Sequence, residues 1–293
     1  MGAEQIARVV GDQEWLDGVA TPLQETIRRL FEAAGSGGRA AKNFLHGSAL
    51  GHPLHPALIE LPVGAWTLAA IFDAIELAGG GPRGKIADTA IRVGLLGAIG
   101  AAVAGITDWS ETDGRAKRIG ITHGVMNVTA TGLYVASLML RRQSRPKGIS
   151  VGLMAFGVAM SAAFLGGHLT YGEQIGVDHT ATADQEKPEK YVGVLDADEL
   201  RENKPTRVTA DGVTVLLVKQ GDTIFALRET CTHLGGPLAE GKLEGDSIIC
   251  PWHGSRFCLT DGRVLDGPAV FPERVLEVRV RAGRIEVRAP RES

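Results

Sequence analysis

Cysteine is scarce in this chain: three occur in 293 residues, at 231, 250 and 258. Two of them sit beside histidines in a paired motif, so no spare pair remains for a structural disulfide. A disulfide framework is therefore excluded, and the redox compartment cannot be read from one. Charge of either sign is also scarce in net terms. Thirty-one Lys and Arg against 34 Asp and Glu leave −3, which gives no global reason to expect a nucleic-acid partner. No cleavable signal peptide is expected in Met1–Asn43, which is polar and charged. A nucleophile–base pair and a substrate-binding motif are missing as well, so the sequence does not read as a free-standing enzyme.

Charge is distributed very unevenly. The mean hydropathy of +0.04 averages an Ala-, Gly-, Leu- and Ile-rich stretch, 46–172, with a charged, valine-rich one, 191–293. Four apolar runs, at roughly 57–78, 89–107, 120–140 and 150–168, approach the ~20 residues that cross a bilayer as a helix. The third, ITHGVMNVTATGLYVASLML, and the fourth, VGLMAFGVAMSAAFLGGHL, contain no Asp, Glu, Lys or Arg. The second carries Gly94, Gly97, Gly100 and Gly105, and small residues let membrane helices approach closely. A four-helix transmembrane bundle is expected. Before it, in 1–45, Trp15, Val19, Leu23, Ile27 and Leu30 recur at helical spacing, an amphipathic helix for the membrane surface or for packing on protein. Four spans put both termini on one side. Arg83, Lys85, Arg141, Arg142, Arg145 and Lys147 lie in the loops of the other side, which the positive-inside rule makes cytoplasmic. After a polar tether at 173–190 come short Val- and Ile-rich runs. Turn pairs separate them: Asp211-Gly212, Gly221-Asp222 and Ala282-Gly283. An all-β domain over 191–293 is expected.

Within that domain stand CTHLGGPL, from 231, and CPWHGSRF, from 250. The donors are Cys231-x-His233 and, after sixteen intervening residues, Cys250-x2-His253. Zinc accepts two Cys and two His, but usually from Cys-x2–4-Cys and His-x3–5-His pairs. Here each turn offers one of each, which suits a [2Fe–2S] cluster with one iron on two Cys and the other on two His. Gly235, Gly236 and Gly254 permit tight turns whose N–H groups can face sulfur. This stretch resembles the Rieske iron–sulfur family over roughly 190–290. The resemblance assigns Cys231 and Cys250 to one iron, and His233 and His253 to the solvent-facing one, with Leu234, Gly235, Gly254, Ser255 and Phe257 around them. Quinol-oxidising members usually carry an extra disulfide; Gly236 and Trp252 stand at those positions, so the chain looks more like Rieske ferredoxins. Ser255 matches a serine that donates to a bridging sulfide, and Phe257 replaces a tyrosine donor. One donor kept and one lost implies the lower or middle part of a range of roughly −150 to +300 mV. Cys258 is expected to pack as a small buried hydrophobe.

The apolar half resembles a bacterial membrane family catalogued as domain of unknown function 2231, over roughly 45–180. HPLHPALIELPVGAWTLAAIFD, AGITDW, THGVMNV and GGHLTYGEQIGVDH carry the likeness. His52, His55, His123 and His168 all fall at one end of the expected bundle. Neutral imidazole ligates b-type haem, and four-helix bundles house cofactors between facing side chains. These four are therefore candidate haem b ligands, with His46 a weaker one; another metal, a co-located quinol pocket or no cofactor remain open. The leading expectation is a multi-pass protein of the bacterial cytoplasmic membrane, its β domain outside. It would transfer electrons between a [2Fe–2S] cluster, haem b and the quinone pool or a redox partner protein. The alternatives are an anchored Rieske ferredoxin serving an oxygenase, with no membrane cofactor, and a subunit of a larger respiratory or hydrogenase-like complex.

Overall fold

A computed structural model describes residues 3–81, 84–181 and 187–290. Arg83, one of the loop charges above, and 182–186 of the expected tether lie outside the described residues. The chain divides into two compact units: 3–38 with 53–175, and 39–52 with 176–290. Residues 46–52 thus group with the β unit rather than with the helices, and the helical unit ends at Ile175.

Seven α-helices occur among the described residues: α1 Ala3–Gly11, α2 Asp17–Ala33, α3 Gly35–His46, α4 Leu54–Leu77, α5 Gly84–Trp109, α6 Gly114–Arg141 and α7 Arg145–Tyr171. Three of them, α4, α5 and α7, are long and apolar enough to cross a membrane. The expected count of four is not met on composition, because α6 opens on Arg115, Lys117 and Arg118 and carries Thr122, His123, Asn127, Thr129 and Thr131. One face of α5 is built for close approach to α4. A Cβ at Gly94 would meet the Trp66 indole at 2.2 Å, one at Gly97 the Leu61 side chain at 2.9 Å, and one at Gly105 the His55 ring at 2.7 Å. Leu96 and Ile99, on the other face, are exposed. Trp66 in turn stacks on Tyr134 of α6, ring centres 4.4 Å apart.

A buried ion cluster ties the helices at one end. Arg141 pairs with Asp73 and Asp88, and Arg145 with Asp88 and Glu76. The side chains of Asp73 and Arg141 are each only 2% exposed, so each neutralises a charge that would otherwise be stranded. Helix α2 is held at the opposite end, against the α5–α6 connection. The Gln24 amide donates to the carbonyls of Trp109 and Thr112, and Asp17 pairs with Arg118 and Lys117, which hold its carboxyl down at about 2. The buried face of α2 is Ala20, Gln24 and Ile27. The rest of the expected apolar stripe points outward: Trp15 is 68% exposed and Leu30 67%, with Val19 and Leu23 exposed too.

The β unit holds three antiparallel sheets, ordered β1-β10-β9, β2-β3-β4 and β5-β6-β7-β8. The anticipated turn pairs close its hairpins. Asp211-Gly212 joins β2 (Thr206–Ala210) to β3 (Val213–Gln220), and Gly221-Asp222 joins β3 to β4 (Thr223–Arg228). Ala282-Gly283 joins β9 (Glu277–Arg281) to β10 (Arg284–Arg288), with Asp211 and Ala282 at positive φ as such turns require. Strands β5 (Lys242–Glu244), β6 (Ser247–Ile249), β7 (Arg256–Cys258) and β8 (Val264–Asp266) form the small sheet that carries the site; β1 is Val192–Asp196.

Replacing Asp73 with Ala leaves the Arg141 guanidinium buried without its main partner. The expected loss is about 3–5 kcal/mol, read as a lowered unfolding midpoint of the detergent-solubilised protein. An Asp73→Ala chain as stable as the parent would contradict this role.

Candidate metal centre

Two turns of the same construction present the four donors. After β4, the Cys231 N–H donates to the Gly236 carbonyl (2.9 Å) and Gly235 N–H to the Cys231 carbonyl (2.9 Å). Between β6 and β7, Cys250 N–H donates to the Ser255 carbonyl (2.8 Å) and Gly254 N–H to the Cys250 carbonyl (3.1 Å). The fifth residue of each turn must enter the left-handed region, and Gly235 (φ 78°) and Gly254 (φ 75°) do so without a Cβ penalty. A side chain at Gly236 would stand 2.8 Å from Cys250 Sγ and 3.2 Å from the Trp252 ring. The turns therefore pack directly on each other, Gly236 against Trp252.

The donors are paired by type. Cys231 and Cys250 are 1% and 3% exposed and hydrogen-bond to each other. That bond, followed by the N–H groups of Trp252 and His253, lowers the Cys250 thiol; it also pushes Cys231 upward, as does burial. The His233 and His253 rings lie 5.0 Å apart at 85°. Burial, then His253, holds His233 well below the usual range, so it is a neutral donor. Among the described residues no three His, Cys, Asp or Glu side chains close on one point. Two sulfurs together and two imidazoles together suit a pair of bridged irons better than one tetrahedral ion. The residues present fit a [2Fe–2S] cluster.

The surroundings follow the expected roles in part. Ser255 is fully buried, and its Oγ accepts from the Ala269 N–H at 3.0 Å, which leaves the hydroxyl hydrogen to donate elsewhere. Phe257 is fully buried in the core with Leu216, Leu238 and Ile248. Leu234 is half-buried. Cys258 is 7% exposed and turns its thiol toward Asp261. Sequence reasoning passed over Glu273. This carboxylate, 3% exposed, accepts the Thr232 N–H at 2.7 Å, between the ligand-turn residues Cys231 and His233. Its other oxygen has no hydrogen-bond partner among the described residues, and burial raises the carboxyl to about 8. No local pattern marks it: it is one acid in the irregular stretch GPAVFPERV.

Of the candidate haem ligands, the helical unit brings two together. His55 on α4 and His123 on α6 have ring centres 6.4 Å apart, and each Nδ1 sits 2.8 Å from a backbone carbonyl, Ala101 and Ala162. His168 faces Glu173 at 3.6 Å instead. His46 and His52 belong to the β unit, so the expected convergence of four histidines at one end of the bundle reduces to one pair within the helical unit.

Comparison with known proteins adds two matches. The family model for the Rieske [2Fe-2S] domain matches 190–279, and that for a predicted membrane protein family, DUF2231, matches 51–184. Ferredoxin CarAc of Metapseudomonas resinovorans is 36% identical over 98 residues, 33% of this chain and 92% of that protein. The anthranilate 1,2-dioxygenase ferredoxin subunit of Burkholderia cepacia is 30% identical over 90 residues, 31% of this chain and 83% of that protein. Among solved structures, the ferredoxin of carbazole 1,9a-dioxygenase from Nocardioides aromaticivorans IC177 is 31% identical, covering 35% of this chain and all of that one with a TM-score of 0.33.

Glu273 makes stability pH-dependent. A carboxyl at about 8 in the fold and near 4.5 unfolded binds more protons folded, so stability falls as pH rises from about 4.5 to about 8. Glu273→Gln is expected to remove that part of the decline in thermal unfolding across this window; an unchanged profile would contradict it.

Proposed function

Since the chain belongs to the Rieske [2Fe–2S] family through residues 190–279 and carries a DUF2231 membrane domain, we propose that it is a membrane-anchored one-electron carrier of the ferredoxin type. The observation that carries this reading is the pair of equivalent turns, with Cys231 and Cys250 in contact and His233 beside His253. A [2Fe–2S] cluster bound there supplies single-electron transfer. Cys231 and Cys250 would hold one iron and His233 and His253 the other. N–H groups directed at Cys250 and the Ser255 hydroxyl stabilise added negative charge and raise the potential. Phe257, lacking a hydroxyl, holds the potential below that of members with two such donors. The ferredoxin relatives, one of them a dioxygenase subunit by name, support an oxygenase or comparable soluble redox protein as partner.

The anchor is the helical unit. Besides α4, α5 and α7, we assign α6 as a span. Val125, Val128 and Met139 are 59%, 74% and 63% exposed, a lipid-facing stripe that offsets the helix's polar residues. The outward stripe Trp15, Val19, Leu23 and Leu30 lies in the bilayer interface, since α2 is fastened to the α5–α6 connection. With four spans, Lys85, Arg142 and Lys147 fall at the cytoplasmic ends of the helices and the Rieske domain outside. Arg141 and Arg145 count for less in that argument, because the fold uses them in ion pairs.

A second reading adds haem b and a link to the quinone pool. It is favoured by His55 and His123. Their ring centres are 6.4 Å apart, so His55 and His123 would be the residues to hold a haem iron. Carbonyls at both Nδ1 atoms turn each Nε2 outward as the donor, although that of His123 meets the Asn127 amide at 3.1 Å. A dithionite-reduced minus oxidised spectrum with a pyridine haemochrome assay separates the readings. A Rieske spectrum alone, from fully loaded protein, is expected for the anchored ferredoxin. A b-type signal lost in His55→Ala and His123→Ala would replace it with the haem-linked relay, and a preparation that binds zinc but no iron–sulfur cluster would overturn both.

A further inference from the structure

Residues 39–52 lie far outside the matched Rieske stretch, yet they form part of the β unit. The 98-residue likeness to the CarAc ferredoxin, which spans 92% of that protein, cannot reach them as well. Their contacts converge on one segment, 266–269. Asn43 Nδ2 donates to Asp266 Oδ1 (2.9 Å), and its Oδ1 accepts from the Gly267 N–H (2.9 Å). Ser48 Oγ donates to the Ala269 carbonyl (3.4 Å). His46 is 1% exposed and packs on Gly267, where an added Cβ would stand 3.2 Å from its ring. That segment supports the second ligand turn, because Ala269 N–H is the donor to Ser255 Oγ and Asp266 binds Arg256 of β7 (2.8 Å). The two ligand turns are covered unequally. Thr232 and Gly236 of the first are buried, whereas Pro251, Trp252 and Gly254 of the second are exposed, Trp252 by 57%.

We propose that residues 39–52 are a strap absent from the stand-alone ferredoxins: through Asn43, His46 and Ser48 the strap fixes the 266–269 segment behind Ser255 and so holds the second ligand turn, whose exposed Trp252 is the way out for electrons. The strap rests on the ligand reading above. Asn43 and Ser48 act as positioning residues, since neither touches the cluster donors. Holding Ala269 in place keeps the Ser255 hydroxyl positioned, a donor that would raise the potential of a bound cluster.

The test is the full chain with Asn43→Ala and Ser48→Ala together, followed by peptide-level hydrogen exchange and, in loaded protein, by reduction potential and the rate of reduction by dithionite. The strap predicts several-fold faster exchange confined to 250–255 and 266–269, an unchanged 206–220 hairpin, a potential shifted downward and, with the driving force reduced, slower reduction. Unchanged exchange in both segments would overturn it. So would acceleration spread equally over 206–220, which would mark a general loss of stability. Exchange is readable without a cluster, so a chain that loads no iron–sulfur centre would defeat the ligand reading while the strap is still decided.

Discussion

Each sulfur donor stands at the head of a turn closed on itself by two backbone hydrogen bonds, Cys231 N–H to Gly236 with Gly235 N–H to Cys231, and the same pair at Cys250, Ser255 and Gly254. This closure is what the centre depends on. It curls the chain so that the next N–H groups point back at sulfur, it demands a residue at positive φ, and it throws His233 and His253 to the outer side of the same tip. Packing does the rest. Gly236 leaves room only for Cys250 Sγ and the Trp252 ring, so the turns meet without a cross-link, and a hydrophobic floor of Leu216, Leu238, Ile248 and Phe257 holds them from beneath. Thiol thus stands beside thiol and imidazole beside imidazole.

The helical unit uses a different economy. Small residues bring α5 onto α4, and one large aromatic pair, Trp66 on Tyr134, fills the middle. At one end the Asp73–Arg141 pair and its neighbours lock the helices by charge; at the other, Gln24 and Asp17 fasten an apolar-striped helix across the α5–α6 connection. Such an arrangement makes an anchor that is rigid inside and greasy outside. The β unit adds a segment from before α4, so its connection to the helices is more than the polar stretch after α7.

What could be read from sequence was local. The hairpins announced themselves because Asp-Gly, Gly-Asp and Ala-Gly must turn between β-branched runs. The ligand turns were visible because Cys, His and Gly fall within six residues of one another. The span positions were legible from hydropathy, although α6 mixes polar and apolar residues enough to blur its character. Distance in sequence hid the remainder. Asn43 meets Gly267 across 224 positions, and nothing in KNFLHGSAL points to a β domain. Glu273 looked like a loop acid until its burial against the Thr232 N–H was seen. The four bundle histidines resolved into one close pair because His52 groups with the β unit and His168 turns to Glu173, neither of which periodicity could show.

The central claim is that one chain holds two irons in unlike donor sets, sulfur on one and imidazole on the other. Mössbauer spectroscopy of the dithionite-reduced, iron-57-loaded protein tests it most directly. The account predicts two inequivalent iron sites in equal amounts, a ferric site with sulfur ligation and a ferrous site with nitrogen among its ligands. The ferrous signal should be lost in His233→Ala or His253→Ala. Two equivalent sulfur-ligated irons, or a preparation whose only stoichiometric metal is zinc, would contradict it.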